Sequence, residues 1–395
     1  MILSTASCFA QKHYDQGASD TEIKLGQTAP YSGPASAFAT IAKAQVAYFK
    51  MVNERGGING RSVNLISYDD AYSPPKTVEQ VRKLLEGDEV LAIAGMIGTP
   101  TNAAVQKYLN AKKVPQLLVA TGAKRFSNAT EFPWTIGFNP NYQSEAHVYA
   151  QYILENYPNA KIAILYQNDD YGKDYLKGLK DAFGAKASQL IVAEASYEVT
   201  DPTIDSQMVT LKTSGADLFF NAASPKFAAQ AIKKIGELGW KPVQFININA
   251  SSVGAVMKPA GTENSSGVMS VNYLKDPLDP QWKNDPGMLR YYAYMDKYFP
   301  DGDQGSGFNV YGYMLAQTIE EVLKRCGDNL TRENLLKVVT NLQGVTTDMD
   351  LPGMSGASTS PSDYRLHKEF QMMKFDGERW ELFGPILRDQ MSATN

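Results

Sequence analysis

Cysteine and histidine are scarce in this sequence of 395 residues. The three histidines, His13, His147 and His367, are scattered, and none stands near a cysteine or a carboxylate pair at the spacing of zinc ligands. We therefore expect no metal ion and no cofactor. The two cysteines are Cys8 and Cys326, so loss of a leader that contains Cys8 would exclude a disulfide. Cys326 lies in a helical pattern, where we expect it to be packed rather than reactive.

An excess of positive charge and long apolar runs are also lacking. The formal net charge is −4, and there is no run of five or more Lys and Arg residues, which argues against nucleic acid as a partner. No apolar stretch approaches the ~18 residues typical of a membrane span. With 43% hydrophobic residues, the chain can form two globular domains with a sizeable core.

Several catalytic motifs are missing as well. The sequence has no Gly-x-Ser-x-Gly elbow, no Walker loop and no Gly-x-Gly-x-x-Gly turn after a strand. One Ser-x-x-Lys string, Ser73 to Lys76, contains two prolines that prevent the helical turn this motif requires. These absences favour a protein that binds without chemistry over an enzyme of unknown type.

The first residues resemble the end of a secretory signal peptide. "MILSTASCFAQ" is apolar and rich in small residues, and Cys8 and Ala10 stand at positions −3 and −1 before Gln11. A basic leading segment is missing. The alternative is the frayed N-terminus of a cytoplasmic protein.

What is present is a regular alternation of strand-like and helix-like segments. Short apolar runs such as "EIKLGQTA" and "KIAILYQND" are separated by amphipathic helices of 10–20 residues, the pattern of a parallel, doubly wound α/β sheet. The pattern begins again near residue 140, which predicts two similar Rossmann-like lobes. Past residue 275, helices and a hairpin with a type I′ turn at Asp376-Gly377 are predicted to return to the two lobes, so that the chain crosses between them three times.

Ligands of parallel α/β sheets bind where strand ends lead into helices. In this chain the corners at those ends, such as "GMIGTPTN", "VATGAK", "NAASPK" and "NINASS", are rich in hydroxyl and amide groups and poor in charge. They suit a small ligand covered by aromatic rings.

Three motifs near the start resemble one known family. S-G-P at 32–34, N-x-x-G-G-I-x-G at 53–60 and Y-D-D-x-x-x-P at 68–74 stand in order, and together they are similar to the type I periplasmic binding proteins of branched-chain amino acid ABC transporters. The resemblance covers about residues 22–387. It implies two lobes joined by a three-segment hinge that close over a ligand. We expect a leader and tail over 1–21, lobe 1 over 22–140 and 274–345, and lobe 2 over 141–273 and 346–390.

The resemblance also implies where the ligand lies. The Thr99 hydroxyl and the segment Ala120, Thr121 and Gly122 would hold the ligand carboxylate, although many relatives have threonine at position 122. Thr99 followed by Pro100 also suits a plain helix N-cap with proline at N1. The remaining candidates are two aromatic residues that could instead be core, Phe38 and Tyr171, and three polar residues, Ser224, Asn247 and Asn249.

Two departures from the family pattern bear on the ligand. Relatives that bind amino acids have an acidic residue near the Asn249 position for the α-ammonium group, and no acid lies between Phe245 and Gly261 here. A buried ammonium without a carboxylate partner is disfavoured. Tyr72 and Gly98 replace a cysteine pair of some relatives, which leaves room and adds a ring. We therefore expect an aromatic or other organic acid of the benzoate or cinnamate type.

These features together predict an extracytoplasmic receptor of an ABC importer. We expect it to be a periplasmic monomer whose partners are a small carboxylate and the membrane permease subunits. Two alternatives within the same fold are an amino-acid-binding receptor and a sensory domain for amides or organic acids.

Overall fold

Residues 12–388 are described by the computed structural model of this chain. The predicted leader, with Cys8, Ala10 and Gln11, lies outside the described residues. Among the helices of residues 12–388, none combines the length and the apolar character that a membrane crossing needs.

The described residues form fourteen strands and thirteen α-helices, besides short 3-10 turns and one π-helical turn. The strands are β1 (His13–Tyr14), β2 (Glu22–Ala29), β3 (Ser62–Asp69), β4 (Ala92–Ala94), β5 (Gln116–Val119), β6 (Thr135–Gly137), β7 (Ile162–Gln167), β8 (Ile191–Tyr197), β9 (Leu218–Ala222), β10 (Val243–Ile246), β11 (Met269–Asn272), β12 (Asn329–Leu330), β13 (Glu369–Phe375) and β14 (Trp380–Arg388). The helices are α1 (Ala39–Glu54), α2 (Pro74–Glu86), α3 (Thr99–Ala111), α4 (Tyr142–Asn156), α5 (Asp170–Phe183), α6 (Ala187–Leu190), α7 (Asp205–Thr213), α8 (Pro225–Glu237), α9 (Lys258–Ala260), α10 (Thr262–Ser265), α11 (Pro286–Tyr298), α12 (Gly307–Cys326) and α13 (Arg332–Val339).

Lobe 1 is built on a five-stranded parallel sheet in the order β3-β2-β4-β5-β6. Apolar side chains cover both of its faces. Leu25 packs into the cluster formed with α1, α11 and α12, whereas Ile93 packs against α2 and α3. Both side chains are fully buried, as expected for a parallel sheet that has helices on both faces.

Lobe 2 is built on a seven-stranded sheet in the order β14-β13-β11-β10-β9-β7-β8. The five strands from β7 to β11 are parallel, and the late hairpin β13-β14 adds two antiparallel strands beside β11. Phe219 faces α7 and α8, while its neighbour Phe220 faces α4 and α5. This alternation follows from the two-residue period of a strand. Two α/β lobes with mainly parallel sheets were predicted from the sequence, and this is confirmed.

Three chain segments connect the two sheets, and each contributes one ring to a shared cluster. Phe138 follows β6, Tyr273 follows β11 and His367 precedes β13. The His367 ring lies 5.2 Å from Phe138 and 5.0 Å from Tyr273, centroid to centroid. Burial lowers the pKa of His367 to about 3, so the ring is neutral at physiological pH. The precise lobe boundaries given above stay predictions.

The hairpin turn differs from its prediction. Phe375 pairs with Trp380, so four residues, 376–379, form the loop instead of two. The Asp376 carboxylate accepts hydrogen bonds from the amides of Glu378 and Arg379 at 2.7 and 2.8 Å. This side-chain capping stabilises a longer turn, which a type I′ turn at Asp-Gly does not need. The type I′ prediction was wrong.

The segment before β2 is tied to lobe 1. His13 and Tyr14 pair in parallel with Asn329 and Leu330. In the same lobe, Cys326 is the last residue of α12 and is buried, and burial raises the pKa of its thiol to about 12. Cys326 is therefore packed, as expected, and its thiol is unreactive at neutral pH.

Candidate functional site

A cleft with about 1040 Å³ of empty space, including the part open to solvent, lies between the two lobes. Residues that follow the carboxyl ends of strands in both sheets line it. Eight of the residues predicted from the sequence are among them: Phe38, Tyr72, Gly98, Thr99, Ala120, Tyr171, Ser224 and Asn249. Three others, Thr121, Gly122 and Asn247, lie outside this lining. The strand ends therefore converge as parallel α/β sheets require.

The corner before α3 is built around a glycine. Gly98, not Thr99, is the N-cap of α3, with φ +103°, and Thr99 and Pro100 occupy the first helical positions. A Cβ at Gly98 would lie 2.5 Å from the Tyr72 ring and 2.6 Å from the Thr101 hydroxyl. The N-cap interpretation of Thr99 was wrong, because the positive φ of Gly98 starts the helix one residue earlier. The Thr99 hydroxyl is hydrogen-bonded to the Thr121 hydroxyl.

Three hydroxyl groups meet at this corner instead. The hydroxyl oxygens of Thr99 and Thr121 lie 2.7 Å apart, and both side chains are buried. The Tyr142 phenol faces the same corner. Burial raises its pKa far above the usual value, although hydrogen bonding to Thr121, to the Gly122 amide and to Thr99 opposes this shift. The corner offers neutral donors and carries no cation among these groups.

Thr121 and Gly122 lie behind the residues that line the cleft. They border a small neighbouring pocket of about 200 Å³. A Cβ at Gly122 would lie 2.1 Å from the Pro140 carbonyl oxygen and 2.7 Å from the Tyr142 ring. Glycine at this position therefore allows Tyr142 to pack against the backbone and to reach the cleft. A larger side chain at position 122 would displace this ring.

We predict that Thr99→Val weakens carboxylate binding by roughly 1–2 kcal/mol, because one hydrogen bond to a charged group is lost. Thr99→Ser keeps the hydroxyl and is the matched control. Isothermal titration with benzoate should show normal affinity for the serine variant and reduced affinity for the valine variant. Equal affinity of all three proteins would mean that the Thr99 hydroxyl does not touch the ligand.

On the lobe 1 side of the cleft, Phe38 and Tyr72 supply rings. The Phe38 ring lies 5.3 Å from that of Phe308 on α12. Tyr72 has φ +58°, a left-handed conformation that costs energy for a tyrosine. The Asp70 carboxylate accepts hydrogen bonds from the Tyr72 amide at 2.9 Å and from the Thr77 hydroxyl at 3.0 Å. Asp70 thus holds the turn that presents Tyr72, as expected for a structural rather than a catalytic acid.

On the lobe 2 side, Tyr171 lies over the cleft with its hydroxyl engaged. That hydroxyl donates to Asn247 Oδ1 at 2.6 Å. The Asn247 amide donates in turn to the carbonyl oxygens of Asn221 and Ala223 at 3.0 and 2.9 Å. Asn247 is fully buried, so it positions Tyr171 and does not reach the cleft. Ser224 lines the cleft and shares a 3.1 Å hydrogen bond with the Tyr197 hydroxyl.

Asn249 belongs to a chain of hydrogen bonds that joins the lobes. On α12, the Tyr311 hydroxyl donates to Asn139 Oδ1. Asn139 Nδ2 donates to Asn249 Oδ1 at 2.8 Å, and Asn249 Nδ2 donates to the Tyr175 hydroxyl at 3.1 Å. The acceptor oxygen of Asn249 is therefore engaged by the protein itself.

A buried carboxylate lies at the end of this chain. Glu145 on α4 accepts hydrogen bonds from the hydroxyls of Tyr175 at 2.6 Å and Tyr149 at 3.0 Å. It also accepts one from the Ile248 amide at 2.8 Å. Burial raises the pKa of Glu145 to about 7, although the three donors oppose the shift. Glu145 does not line the cleft. The three groups that donate hydrogen bonds to it all belong to the protein.

The raised pKa of Glu145 predicts a pH effect on stability. The native carboxyl holds its proton up to about pH 7, whereas the unfolded one loses it near pH 4.5, so the native form loses stability as pH rises through this window. Glu145→Gln cannot ionise and should escape the loss. The variant should gain about 2 kcal/mol relative to wild type between pH 5 and pH 8.

Urea unfolding of both proteins at several pH values tests this. The difference between them is the quantity to follow, because His367, with its lowered pKa, makes the native form more stable as pH rises from about 3 to 6.5 and opposes the Glu145 trend. A difference that does not change with pH would contradict the assignment to Glu145.

Seven residues that line the cleft with rings or amides were not predicted from the sequence: Asn139, Tyr142, Asn272, Tyr273, Phe308, Tyr311 and Trp380. Glu145 behind them was not predicted either. Within residues 12–388, no group of three or more His, Cys, Asp or Glu side chains is placed to hold a metal ion. The cleft thus has aromatic rings along its walls, hydroxyl groups at the corner of Thr99, Thr121 and Tyr142, and the side-chain amides of Asn139 and Asn249. Such an arrangement can hold a small molecule without covalent chemistry.

Comparison with known proteins agrees with this architecture. The family model described as "Periplasmic binding protein" matches residues 22–379. Leu/Ile/Val-binding protein homolog 2 of Brucella abortus is 25% identical over 358 residues, which cover 87% of this chain and 90% of that protein. The match therefore extends over both lobes and all three connections.

Two solved structures share the fold. A branched-chain amino acid ABC transporter protein from Thermus thermophilus with bound valine has a TM-score of 0.84 at 14% identity, and covers 94% of this chain and 98% of its own. A fatty acid ABC transporter substrate-binding protein from Thermomonospora curvata has a TM-score of 0.77 at 21% identity, with 97% and 96% coverage. At these identities the likeness concerns the fold alone. From the family match and the two-lobed architecture, the chain belongs to the type I periplasmic binding proteins of the branched-chain amino acid family and is a substrate-binding receptor.

Proposed function

We propose that this receptor captures, for an ABC importer, a small carboxylate that has an apolar, aromatic body and no α-ammonium group.

 The aromatic walls formed by Phe38, Tyr72 and Tyr171 suit a ring or a branched chain, as in benzoate- or cinnamate-like acids. The ligand carboxylate would accept hydrogen bonds at the corner of Thr99, Thr121 and Tyr142.

The hydrogen bond from Asn139 Nδ2 to Asn249 Oδ1, 2.8 Å long, carries this proposal. An α-ammonium group at this place would need a carboxylate partner, whereas Asn249 offers one neutral oxygen with one of its two lone pairs already used by Asn139. The Glu145 carboxylate behind it accepts three hydrogen bonds from the protein. A buried cation without a carboxylate partner carries a desolvation penalty of several kcal/mol. This part of the cleft therefore favours ligands that have no cationic group near Asn249.

The same fold supports a transport cycle. Closure of two lobes about a three-segment hinge is one of the standard ways in which proteins enclose a small ligand. The ring cluster of Phe138, Tyr273 and His367 would form the pivot, since each connection contributes one ring. We propose that the closed receptor acts as a periplasmic monomer and delivers its ligand to membrane permease subunits.

A pair of isosteric probes tests the carboxylate. Benzoate and benzamide differ little in shape, but only benzoate carries a charge. Isothermal titration should show binding of benzoate and much weaker binding of benzamide. On the same samples, small-angle scattering should show a smaller radius of gyration with benzoate than without. Equal affinity for the acid and the amide would overturn the carboxylate proposal, and an unchanged radius at saturation would overturn lobe closure.

An α-amino acid is the second candidate. The name of the Brucella abortus relative refers to leucine, isoleucine and valine, and the Thermus thermophilus protein holds valine. Such a ligand would place its ammonium group against the remaining lone pair of the neutral Asn249 oxygen, without a carboxylate partner there. Leucine binding by the wild-type protein would favour this candidate.

A further inference from the structure

One carboxylate does line the cleft, outside the segment where the family pattern would place an acid. Asp276 lies in the connection that follows β11, and it borders the same cleft as Thr99. Its Oδ1 accepts a hydrogen bond from the Leu278 amide at 2.9 Å. No Lys, Arg or His among residues 12–388 forms an ion pair with it.

The neighbouring lysine does not neutralise this charge. Lys275 also borders the cleft, but its ammonium group pairs with Asp285 at 2.8 Å and donates to the Asp348 carbonyl oxygen at 3.0 Å. Burial raises the pKa of Asp276 to about 6, and the Asp279 charge adds to the rise. Asp276 is therefore ionised at neutral pH in surroundings where a cation would stabilise it.

Aromatic side chains of the same cleft also suit a cation. Phe308 lines the cleft and packs on Phe38, and Trp380 borders the cleft from lobe 2. Aromatic faces attract ammonium groups through their quadrupoles. The hydroxyl corner at Thr99, by contrast, presents neutral donors that suit an anion. The cleft thus has two places of opposite chemical preference.

We propose that Asp276 binds an ammonium group at the end of the ligand remote from its carboxylate, so that the receptor selects ω-amino acids over both α-amino acids and plain acids. This inference rests on the proposed carboxylate-binding function. The cleft, with about 1040 Å³ of empty space, can hold a ligand that reaches from Thr99 to Asp276.

Matched pairs of acids test the proposal in the intact chain. Butanoate, hexanoate and octanoate are each compared by isothermal titration with 4-aminobutyrate, 6-aminohexanoate and 8-aminooctanoate. We expect one of the amino acids to bind at least about tenfold more tightly than the plain acid of the same length. Asp276→Asn should remove that preference and leave the affinity for the plain acid unchanged or improved. Asp301→Asn, an exposed change of the same charge, should behave as wild type.

The outcomes separate this inference from the function on which it rests. If the plain acids bind as tightly as the amino acids, and Asp276→Asn changes nothing, the ammonium site is overturned while the carboxylate receptor stands. If no compound of either series binds, nor benzoate, the carboxylate proposal fails and the ammonium site fails with it. Loss of 6-aminohexanoate binding in Asp301→Asn as well would show a general charge effect and would also overturn the site.

Discussion

Gly98→Ala should lower the free energy of unfolding by about 3–5 kcal/mol, the combined cost of a strained backbone and an overpacked contact. Gly98 has φ +103°, a conformation that residues with a Cβ rarely adopt. The added Cβ would lie 2.5 Å from the ring of Tyr72, which is itself buried. Tyr72 would have to move, and the wall of the cleft would move with it. Benzoate binding should therefore weaken together with stability.

Gly184→Ala is the matched control for the cost of placing a residue with a Cβ at a positive φ. Gly184 also has a positive φ, +55°, but a Cβ there would meet nothing within 4 Å. This variant should lose only about 1–3 kcal/mol, the cost of the backbone conformation alone. Urea unfolding of the two variants and of wild type measures both effects. Equal losses in the two variants would contradict the tight packing of Gly98 against Tyr72.

Asn249→Asp should weaken benzoate binding by about 3 kcal/mol. This estimate takes a second negative charge at ~6 Å from the ligand carboxylate and an effective dielectric constant of about 20. The change also removes the donor that Asn249 gives to the Tyr175 hydroxyl. An energy of this size corresponds to an affinity loss of roughly a hundredfold, which isothermal titration resolves.

Asn159→Asp adds the same charge to an exposed position of lobe 2. It should leave benzoate affinity within a factor of about two, because exposed charges far from the ligand are screened by solvent and salt. If Asn249→Asp also bound benzoate normally, the carboxylate would have to lie far from Asn249. Such a result would contradict the proposed position of the ligand.

Much of the fold follows from the periodicity of the sequence, and the exceptions have local causes. Strand β4 spans only Ala92–Ala94, although the apolar pattern predicts a strand over 90–98. Gly95 and Gly98 adopt positive φ values there and end the ladder. Strand β6, Thr135–Gly137, was not predicted from the sequence. It has only three residues, which are too few to show the alternation of apolar and polar side chains that marks a strand.

The missed strand explains part of the missed site. The sequence pattern marks corners only at the ends of its strand-like runs, so it gives no sign of the end of β6, after which Asn139 and Tyr142 follow. A search of every Asn-Pro corner would have found this one. Tyr311 and Glu145 had no such signal. Tyr311 lies in a buried helix, and Glu145 meets Ile248 across 103 positions of sequence, a contact that only the folded chain creates.

The absence of an α-ammonium group from the ligand is tested most directly with leucine and 4-methylpentanoate, which share a carbon skeleton and differ only in that group. Thermal unfolding of the wild-type protein is measured with each compound at increasing concentration. A ligand at ~100 times its dissociation constant stabilises the native state by about 2.7 kcal/mol, a readily measured rise in Tm. We predict that 4-methylpentanoate raises the Tm and that leucine leaves it unchanged at millimolar concentration. A rise with leucine equal to or larger than that with 4-methylpentanoate would contradict the proposed ligand class.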